Sequence, residues 1–242
     1  MTAIDAGDHW VLNGQKVFIT NGYYADTYYI SAVTDPDKGS RGISGFIVEK
    51  GTPGFTFGTK EKKMGIRGSA TYELIFQDCK IPKENLLGER GKGFKIALAT
   101  LDGGRIGVGA QALGIAQAAI DHCKEYVTTH CLHEQRISQY QYVQFELADM
   151  QARVDAARLL IYRAAQAKQD HDPYSHLAAM GKLYASEAAT NVTRRCMQLV
   201  GDDGYTNRFP FERLMRDSKI TEIYEGTSEV QRMVISSWMG IK

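Results

Sequence analysis

One carboxylate near the end of the chain stands where it could abstract a proton. Glu225 lies in residues 220–232, ITEIYEGTSEVQR, directly before Gly226. Glycine has no Cβ, so the backbone can turn sharply there and come close to a ligand. Thr227 and Ser228 can cap a following helix, whose first backbone N–H groups can bind an anion. The pattern indicates proton abstraction beside a polarised carbonyl, although a solvated loop acid would show the same local pattern.

The composition bounds the class of protein. The chain has 242 residues, 43% hydrophobic and 24% charged, which is typical of a soluble globular protein with a sizeable core. A formal net charge of +1 gives no bias toward nucleic acid or an anionic membrane surface. No apolar run approaches the roughly 20 residues of a membrane span, and no targeting segment is readable. Four cysteines without paired spacing predict reduced thiols in an intracellular compartment.

The first part of the sequence predicts strands. DHWVLNGQKVFITNG alternates in polarity, and its Asn13-Gly14 pair predicts a hairpin turn. Further strands are predicted in TYYISAVTD, SGFIVEK, GFTFGTKE and TYELIFQDCKI, separated by turns that contain Pro or Gly. Short strands at this spacing predict an antiparallel barrel or sandwich. Because the first strand begins so near the N-terminus, we expect this β-domain to be partial.

Helices follow GERGKG, which occupies residues 88–93, because the apolar period changes there from 2 to 3.6. The pattern predicts long helices over residues 94–126, 141–171 and 174–200, and a short one after Gly226. Such a set is typical of a helical bundle. The predicted fold class is therefore α+β, with a partial antiparallel β-domain over residues 1–88 and a C-terminal four-helix bundle over residues 89–242.

Three stretches together carry a resemblance to a known family. They are VLNGQKVFITN, GISGFIVEKGTPGFTFGTKEKKMGIRGSATYELIFQDCKIPKENLLGERGKGFKIALATLDGGRIGVGAQALGIAQ and MRDSKITEIYEGTSEVQR. The chain resembles the acyl-CoA dehydrogenases, most closely the short-chain (butyryl) type, over essentially its whole length. The resemblance implies a middle β-domain followed by a C-terminal four-helix domain. The family's N-terminal helical domain and initial β segment have no counterpart, so the chain resembles an N-terminally truncated member.

The resemblance implies an activity, namely FAD-dependent α,β-dehydrogenation of short-chain acyl-CoA thioesters in fatty acid β-oxidation. Glu225 is similar to the family's base, which removes the α-proton while the β-hydrogen leaves as hydride to the flavin. In the family, a backbone N–H at the glutamate and a flavin hydroxyl bind the thioester oxygen. Some branches carry the base at the position of Gly104 instead. A glycine cannot serve there, so the resemblance leaves Glu225 as the base.

Other site residues are also implied by the resemblance. Asp102, Arg105 and Gly226 are assigned to the acyl-CoA substrate; the alternative for the first two is an i,i+3 ion pair on a helix surface. The residues that match flavin-contacting positions are Phe18, Thr20, His130, Gln141, Gln198, Gly201, Asp202, Thr227 and Glu229. The turn from Gln198 to Asp202 matches a segment that reaches the flavin of a neighbouring subunit.

Three departures from the family pattern predict weaker flavin binding. The first is the lack of the N-terminal region. His130 stands where the family has a flavin-binding arginine, so an imidazole that is mostly neutral near pH 7 replaces a permanently charged guanidinium. Arg136 lies nearby in the sequence and could partly substitute for that arginine. Asp202 replaces a glycine beside Asp203, and two carboxylates would repel a pyrophosphate. The alternative function is therefore a catalytically impaired or flavin-free relative that acts as a binding or assembly subunit.

The partners implied by the resemblance are short-chain acyl-CoA, electron-transfer flavoprotein and further copies of the chain in a homotetramer. No nucleic-acid partner and no membrane span are predicted. The implied compartment is the mitochondrial matrix in a eukaryote and otherwise the cytoplasm. Cys123, His130, Cys131 and His133 could serve as metal ligands, but their spacing matches no compact zinc signature, so no metal is predicted.

Overall fold

The computed structural model describes residues 1–241. The chain forms two compact units, each considered by itself: Met1–Lys63 with Arg67–Thr100, and Met64–Ile66 with Leu101–Lys242. The first is called the β unit and the second the helical unit. The domain limits predicted from the sequence, 1–88 and 89–242, stay a prediction. Within residues 1–241, every helix is too short or too polar to cross a membrane.

The β unit is built on one seven-stranded sheet. Its strands are β1 Thr2–Asp5, β2 His9–Thr20, β3 Thr27–Val33, β4 Ile43–Glu49, β5 Phe55–Lys60, β6 Thr71–Pro82 and β7 Leu86–Leu87. They lie in the order β5-β6-β2-β1-β3-β4-β7. Neighbouring strands are antiparallel except β1 and β3, which pair in parallel at Thr2 and Val33. The alternating residues of each strand therefore bury one set of side chains, as the period-2 pattern predicts.

Aromatic residues dominate the core of the β unit. Trp10 packs edge-on against Phe46, with ring centroids 5.1 Å apart, and Phe55 stacks on Phe76 at 4.6 Å. Trp10, Phe46 and Phe76 are at most 1% exposed. Pairs of this kind add to the free energy of area burial, so they fix β2, β4, β5 and β6 against one another.

The predicted hairpin at Asn13-Gly14 is wrong, because β2 runs unbroken from His9 to Thr20. Its pairing with β6 shifts register between Leu12 and Gly14. Gly14 has φ +124°, and the Asn13 side chain accepts from the backbone N of Asp78 at 2.8 Å. A bulge needs the same permissive backbone as a tight turn, so the Asn-Gly pair marks a bulge here.

The helical unit confirms the long predicted helices. Its elements are α1 Gly93–Thr129, which begins in the β unit, a small hairpin of β8 Cys131–Leu132 and β9 Gln135–Arg136, then α2 Gln141–Gln169, α3 Ser175–Val200, α4 Phe211–Lys219 and α5 Ser228–Trp238. Buried alanines recur in the core, including Ala116, Ala119, Ala157, Ala185 and Ala189. Small side chains let helix backbones approach closely, so α1, α2 and α3 form one compact core with α4 against it.

Helix α4 is a helix that the sequence pattern did not reveal. Its nine residues, FERLMRDSK, include five charged ones, and only Phe211, Leu214 and Ser218 are buried. Two apolar anchors over two turns are too few to establish a helical period. Packing against the core, where Phe211 is 1% exposed, stabilises the helix that carries the chain toward Glu225.

Candidate active site

The predicted base lies in a tight joint between two helices. After α4, a 3-10 turn at Ile220–Glu222 leads to Glu225, and α5 begins at Ser228. Glu225 has φ +54° and Gly226 has φ +92°, so two successive residues are left-handed. A non-glycine residue in that region costs on the order of 1–3 kcal/mol and persists only where its surroundings hold it. The joint is therefore a specifically held backbone and not a free loop.

Thr227 ends the joint by capping α5. It is the N-cap residue, in extended conformation, and its Oγ1 accepts from the backbone N of Val230 at 3.4 Å. This confirms the capping role predicted from the sequence. Glu225 is followed directly by the left-handed Gly226 and then by the cap residue Thr227. These two residues fix the position of Glu225 relative to α5.

Gly104 on α1 faces the carboxylate of Glu225. A Cβ placed on Gly104 would lie 3.0 Å from the Glu225 carboxyl carbon and closer still to Oε2. No side chain fits there without displacing the carboxylate. The two positions that carry the base in different branches of the resembled family are thus neighbours in space.

The electrostatic surroundings of Glu225 suit a base. Its side chain is half-buried, and burial raises its pKa above the ordinary range of a glutamate, while the charges of Arg105 and Lys182 pull the pKa back down. A raised pKa makes a stronger proton acceptor, and the two cations oppose protonation at neutral pH. The arrangement can accept a proton at one carboxylate oxygen.

Asp102 and Arg105 form the i,i+3 ion pair that is the alternative to substrate binding, with Arg105 Nη1 donating to Asp102 Oδ1 at 2.6 Å. Ser175 Oγ donates to the same oxygen at 2.9 Å. The pair does not lie on an exposed helix surface, because Arg105 is only 5% exposed. Its Nε is buried without a hydrogen-bond partner among the described residues. A buried, unpartnered guanidinium nitrogen beside a base suits an oxygen of a ligand.

Sequence reasoning missed several residues that hold this site. Lys182 Nζ donates to the carbonyl of Gly226 at 2.6 Å, and Gln231 Nε2 donates to the same carbonyl at 2.8 Å. The hydroxyl of Tyr224 donates to Gln111 Oε1. A signal for Lys182 was present, because it falls on the helical period of buried Ala178 and Ala185.

The two predicted flavin contacts of the β unit lie at an irregular end of β2. The register of β2 against β6 shifts between Lys16 and Ile19, and Phe18 has φ +58° within that shift. Phe18 is 70% exposed, and Thr20 ends the strand, also exposed. The bulge turns an aromatic face outward, which is a surface on which a planar ring could stack.

A second group of predicted residues lies at the far end of the helical unit. Gln198 is exposed on the last turn of α3, Gly201 and Asp202 form the turn after it, His130 follows α1 and Gln141 begins α2. Tyr126 near the end of α1 donates its hydroxyl to Asp203 Oδ2 at 2.9 Å, which ties this end of α1 to the turn after α3. We name His130, Gln141, Gln198, Gly201 and Asp202 the distal group.

The structure does not bring the distal group to Glu225 within one chain. Arg105 lies about a third of the way along α1 and Thr129 at its C-terminal end, roughly 36 Å apart at 1.5 Å of rise per residue. Glu225 is beside Gly104, next to the first of these positions, and His130 directly follows the second. A single small ligand cannot contact both groups of one chain.

His130 is turned back onto its own helix. Its ring stacks on Tyr126 with centroids 3.8 Å apart and an interplanar angle of 7°. Its Nδ1 lies 3.0 Å from Thr129 Oγ1 and 3.0 Å from the Tyr126 carbonyl. The ring therefore uses one nitrogen locally, where the resembled family presents a guanidinium with several donors.

The expected repulsion by two adjacent carboxylates is reduced. Asp203 accepts from the Tyr126 hydroxyl and pairs with Arg208, while Asp202 is exposed. Burial and the hydrogen bond to Asp203 raise the pKa of Tyr126 to about 12, so Tyr126 remains a donor. The Asp203 charge is thus largely compensated, and only Asp202 bears on an approaching anion.

The N-terminus of α5 fits an anionic group in part. Ser228 Oγ is buried without a hydrogen-bond partner among residues 1–241. Glu229 is exposed, and hydrogen bonds to its own backbone N–H and to Thr227 lower its pKa. One donor position of the helix end is therefore occupied by the chain's own carboxylate, while the Ser228 hydroxyl is left for a ligand.

The candidate metal ligands lie in different environments. Cys123 is buried in the core of the helical unit, whereas Cys131 is exposed on β8. Over residues 1–241, no three His, Cys, Asp or Glu side chains are grouped so that they could hold a metal ion. These placements separate the ligands that the hypothesis needed together.

Two family models match the chain. Residues 1–79 match the middle domain of acyl-CoA dehydrogenase, and residues 91–240 match the C-terminal domain of acyl-CoA dehydrogenase. The chain is 52% identical over 235 residues to the mitochondrial short-chain specific acyl-CoA dehydrogenase of Rattus norvegicus. That match covers 97% of this chain and 57% of the relative.

Solved structures agree in fold. The chain superposes on butyryl-CoA dehydrogenase from Megasphaera elsdenii with a TM-score of 0.97 at 52% identity, over 98% of this chain and 62% of that one. A chain from work on the electron transferring flavoprotein of Acidaminococcus fermentans gives a TM-score of 0.97 at 53% identity, over 98% and 63%. The chain thus spans less than two thirds of the length of these relatives. It belongs to the acyl-CoA dehydrogenase family, with the fold of that family's middle and C-terminal domains.

Proposed function

We propose that this chain supplies the base for FAD-dependent α,β-dehydrogenation of short-chain acyl-CoA thioesters. The observation that carries the proposal is the half-buried Glu225 carboxylate in a joint of positive φ. The carboxylate occupies the space beside Gly104 that a side chain at that position would need. A structural surface acid needs neither the strained backbone nor the space. Relatives whose names specify short-chain or butyryl-CoA substrates support the substrate class.

Glu225 takes the α-proton of the thioester on a carboxylate oxygen. Burial raises its pKa and makes it a stronger base than an exposed glutamate, and the charges of Arg105 and Lys182 favour its ionised form. The backbone N–H of Glu225 donates to the thioester oxygen and stabilises the charge that develops as the proton leaves. Asp102, Arg105 and Gly226 hold the acyl-CoA, and the unpartnered Arg105 Nε is the donor available for it.

FAD supplies the hydride acceptor for the β-hydrogen when it is bound. In the β unit, Phe18 and Thr20 are the residues that would contact a flavin. In the helical unit, Thr227, Glu229 and the N-terminus of α5 would hold flavin phosphates. The residues present fit such a group, because Phe18 offers an exposed aromatic face and Ser228 Oγ a free hydroxyl.

The distal group of His130, Gln141, Gln198, Gly201 and Asp202 serves the flavin of a second copy of the chain. The roughly 36 Å of helix between Arg105 and Thr129 supports this assignment, since one chain cannot bring both groups to one flavin. The assembly is a homo-oligomer, a tetramer by family resemblance. Electrons leave to electron-transfer flavoprotein, and the compartment is the mitochondrial matrix if the source is a eukaryote and otherwise the cytoplasm.

A second candidate is a flavin-free relative that serves in binding or assembly. The observation that favours it is His130, whose ring stacks on Tyr126 instead of presenting a fixed charge to a phosphate. In this alternative Glu225 keeps its geometry but has no hydride acceptor to work with. The two candidates differ in one directly visible property, which is the flavin absorption band.

The test uses the purified 242-residue chain mixed with FAD. The proposal expects a yellow protein whose flavin band bleaches on addition of butyryl-CoA. Glu225→Gln should keep the yellow colour and lose the bleaching, because an amide does not accept the α-proton. A chain that stays colourless with excess FAD would establish the flavin-free alternative, and a bleaching Glu225→Gln variant would remove Glu225 from its role.

A further inference from the structure

A lysine is buried completely inside the helical unit. Lys182 lies on α3 and is 0% exposed, within a stripe that otherwise buries Ala178, Ala185 and Ala189. Removing an ammonium from water is costly unless its hydrogen bonds are replaced. An apolar residue would fill this position on α3 without that cost, so the lysine needs a specific explanation.

The partner of the buried ammonium is the joint that carries Glu225. Lys182 Nζ donates to the Gly226 carbonyl at 2.6 Å. From α5, Gln231 Nε2 donates to the same carbonyl at 2.8 Å and to the Glu225 carbonyl at 3.2 Å. Gln231 is also 0% exposed. Two buried side chains from two helices thus converge on two adjacent carbonyls.

These carbonyls belong to the two residues with positive φ, Glu225 and Gly226. A left-handed non-glycine residue persists only where the surroundings over-determine its backbone. Gly226 also lets Gln231 approach, since a Cβ placed on Gly226 would lie 2.8 Å from Gln231 Nε2. The backbone torsions at Glu225 in turn set the direction of its side chain.

We infer that Lys182 and Gln231 are positioning residues for the base: they hold the carbonyls of the left-handed joint and thereby aim the Glu225 carboxylate into the space left by Gly104. The inference rests on the proposed function of Glu225. Neither side chain touches the reacting atoms in this role. Their effect on the reaction passes through the direction of one carboxylate.

The charge of Lys182 acts on the same carboxylate. Burial, opposed by the charges of Glu222, Glu225 and Glu229 and assisted by that of Arg105, lowers the pKa of Lys182 to about 8. In return, the Lys182 charge lowers the pKa of Glu225. Loss of the lysine should therefore both loosen the joint and raise the pKa of the base, and a residue that only fills space would do neither.

The first test needs no cofactor. Hydrogen exchange of the 242-residue chain is measured on a peptide that covers residues 223–228, in Lys182→Met, Gln231→Met and a Thr193→Val control. Thr193 is buried on the same helix, donates to Ala189 at 2.8 Å and does not contact the joint. We expect exchange to be about tenfold or more faster in the two joint variants and unchanged in the control.

A titration of the 13C-labelled glutamate carboxyls gives a second cofactor-free readout. The pKa of Glu225 should rise in Lys182→Met and stay near the wild-type value in Thr193→Val. Unchanged exchange in both joint variants, or an equal increase in the control, would overturn the inference. If Lys182→Met fails to fold, Gln231→Met tests the same joint from α5.

Flavin reduction by butyryl-CoA then separates the inference from the proposed function. In a chain loaded with FAD, both joint variants should reduce the flavin about tenfold or more slowly with little change in KM or in bound FAD. If no form of the chain binds FAD, the proposed function fails while the exchange data still decide the role of Lys182. If all variants reduce flavin normally and exchange is unchanged, the proposed function stands and the inference falls.

Discussion

Gly104 and Glu225 come from sequence positions far apart, yet a Cβ on Gly104 would lie 3.0 Å from the Glu225 carboxyl carbon. This contact gives the glycine a specific purpose on a helix, where glycine normally lowers stability. The carboxylate occupies the volume that a side chain at position 104 would need. The relationship can be tested because the same helix offers a second glycine in open space.

Gly104→Ala should impair the reaction without unfolding the chain. The added methyl group displaces the carboxylate, so flavin bleaching by butyryl-CoA should slow about tenfold or more. The matched control is Gly107→Ala, because a Cβ there meets no atom within 4 Å. The control should gain up to about 1 kcal/mol of unfolding free energy from helix propensity and bleach normally. Equal activity in the two variants would contradict the contact.

Periodic patterns in the sequence predicted most of the fold. The three long helices show a 3.6-residue period and the strands a period of 2, so both are confirmed. Helix α4 has too few apolar residues to show its period, and Asn13-Gly14 gives the same signal for a bulge as for a hairpin. Local pattern does not distinguish these cases, because tertiary packing decides between them.

The candidate site was predictable only in part. The family resemblance offers Glu225 and Gly104 as the two positions for a base, but the partner of the buried Lys182 ammonium depends on which carbonyl α3 meets across the core. The paired state of Asp203 likewise depends on Tyr126 and Arg208, which lie elsewhere in the sequence. Such partners arise from tertiary contacts, and a residue's own neighbours in the chain do not specify them.

The raised pKa of Glu225 predicts a pH dependence of stability. Burial raises the pKa of Glu225 in the folded chain above its ordinary value, which the unfolded chain has. At a pH between the unfolded and the folded pKa, the folded chain therefore keeps a proton that the unfolded chain has released. The free energy of unfolding should therefore fall as pH rises through this window. Urea unfolding from roughly pH 4 to 8 should show that fall in the wild type and lack it in Glu225→Gln. Parallel curves for the two proteins would contradict it.

Lys182 predicts the opposite dependence at alkaline pH. Its pKa is lowered to about 8 in the folded chain, so above that pH the folded chain has released a proton that the unfolded chain still holds. The free energy of unfolding should rise from about pH 8 to 10.5, by at most about 3 kcal/mol, relative to Lys182→Met. Measuring the two proteins side by side cancels the tyrosines and cysteines that titrate in the same range. A constant difference between them would show that Lys182 titrates normally.

His130→Arg should supply a fixed charge that the proposed flavin site lacks. The imidazole is committed to Tyr126 and Thr129, whereas a guanidinium reaches farther and carries a fixed charge that pairs with phosphate. One such pair should tighten FAD binding about tenfold, which titration of the flavin band would detect.

The control for this variant is His133→Arg, because His133 is exposed between the short strands β8 and β9. It adds the same charge three residues away. If position 130 is part of the flavin site, His133→Arg should leave the affinity within about twofold of wild type, since an exposed charge is screened by salt. Equal tightening by both variants would mean that net charge alone attracts the flavin, and His130 would then lose its assignment to the site.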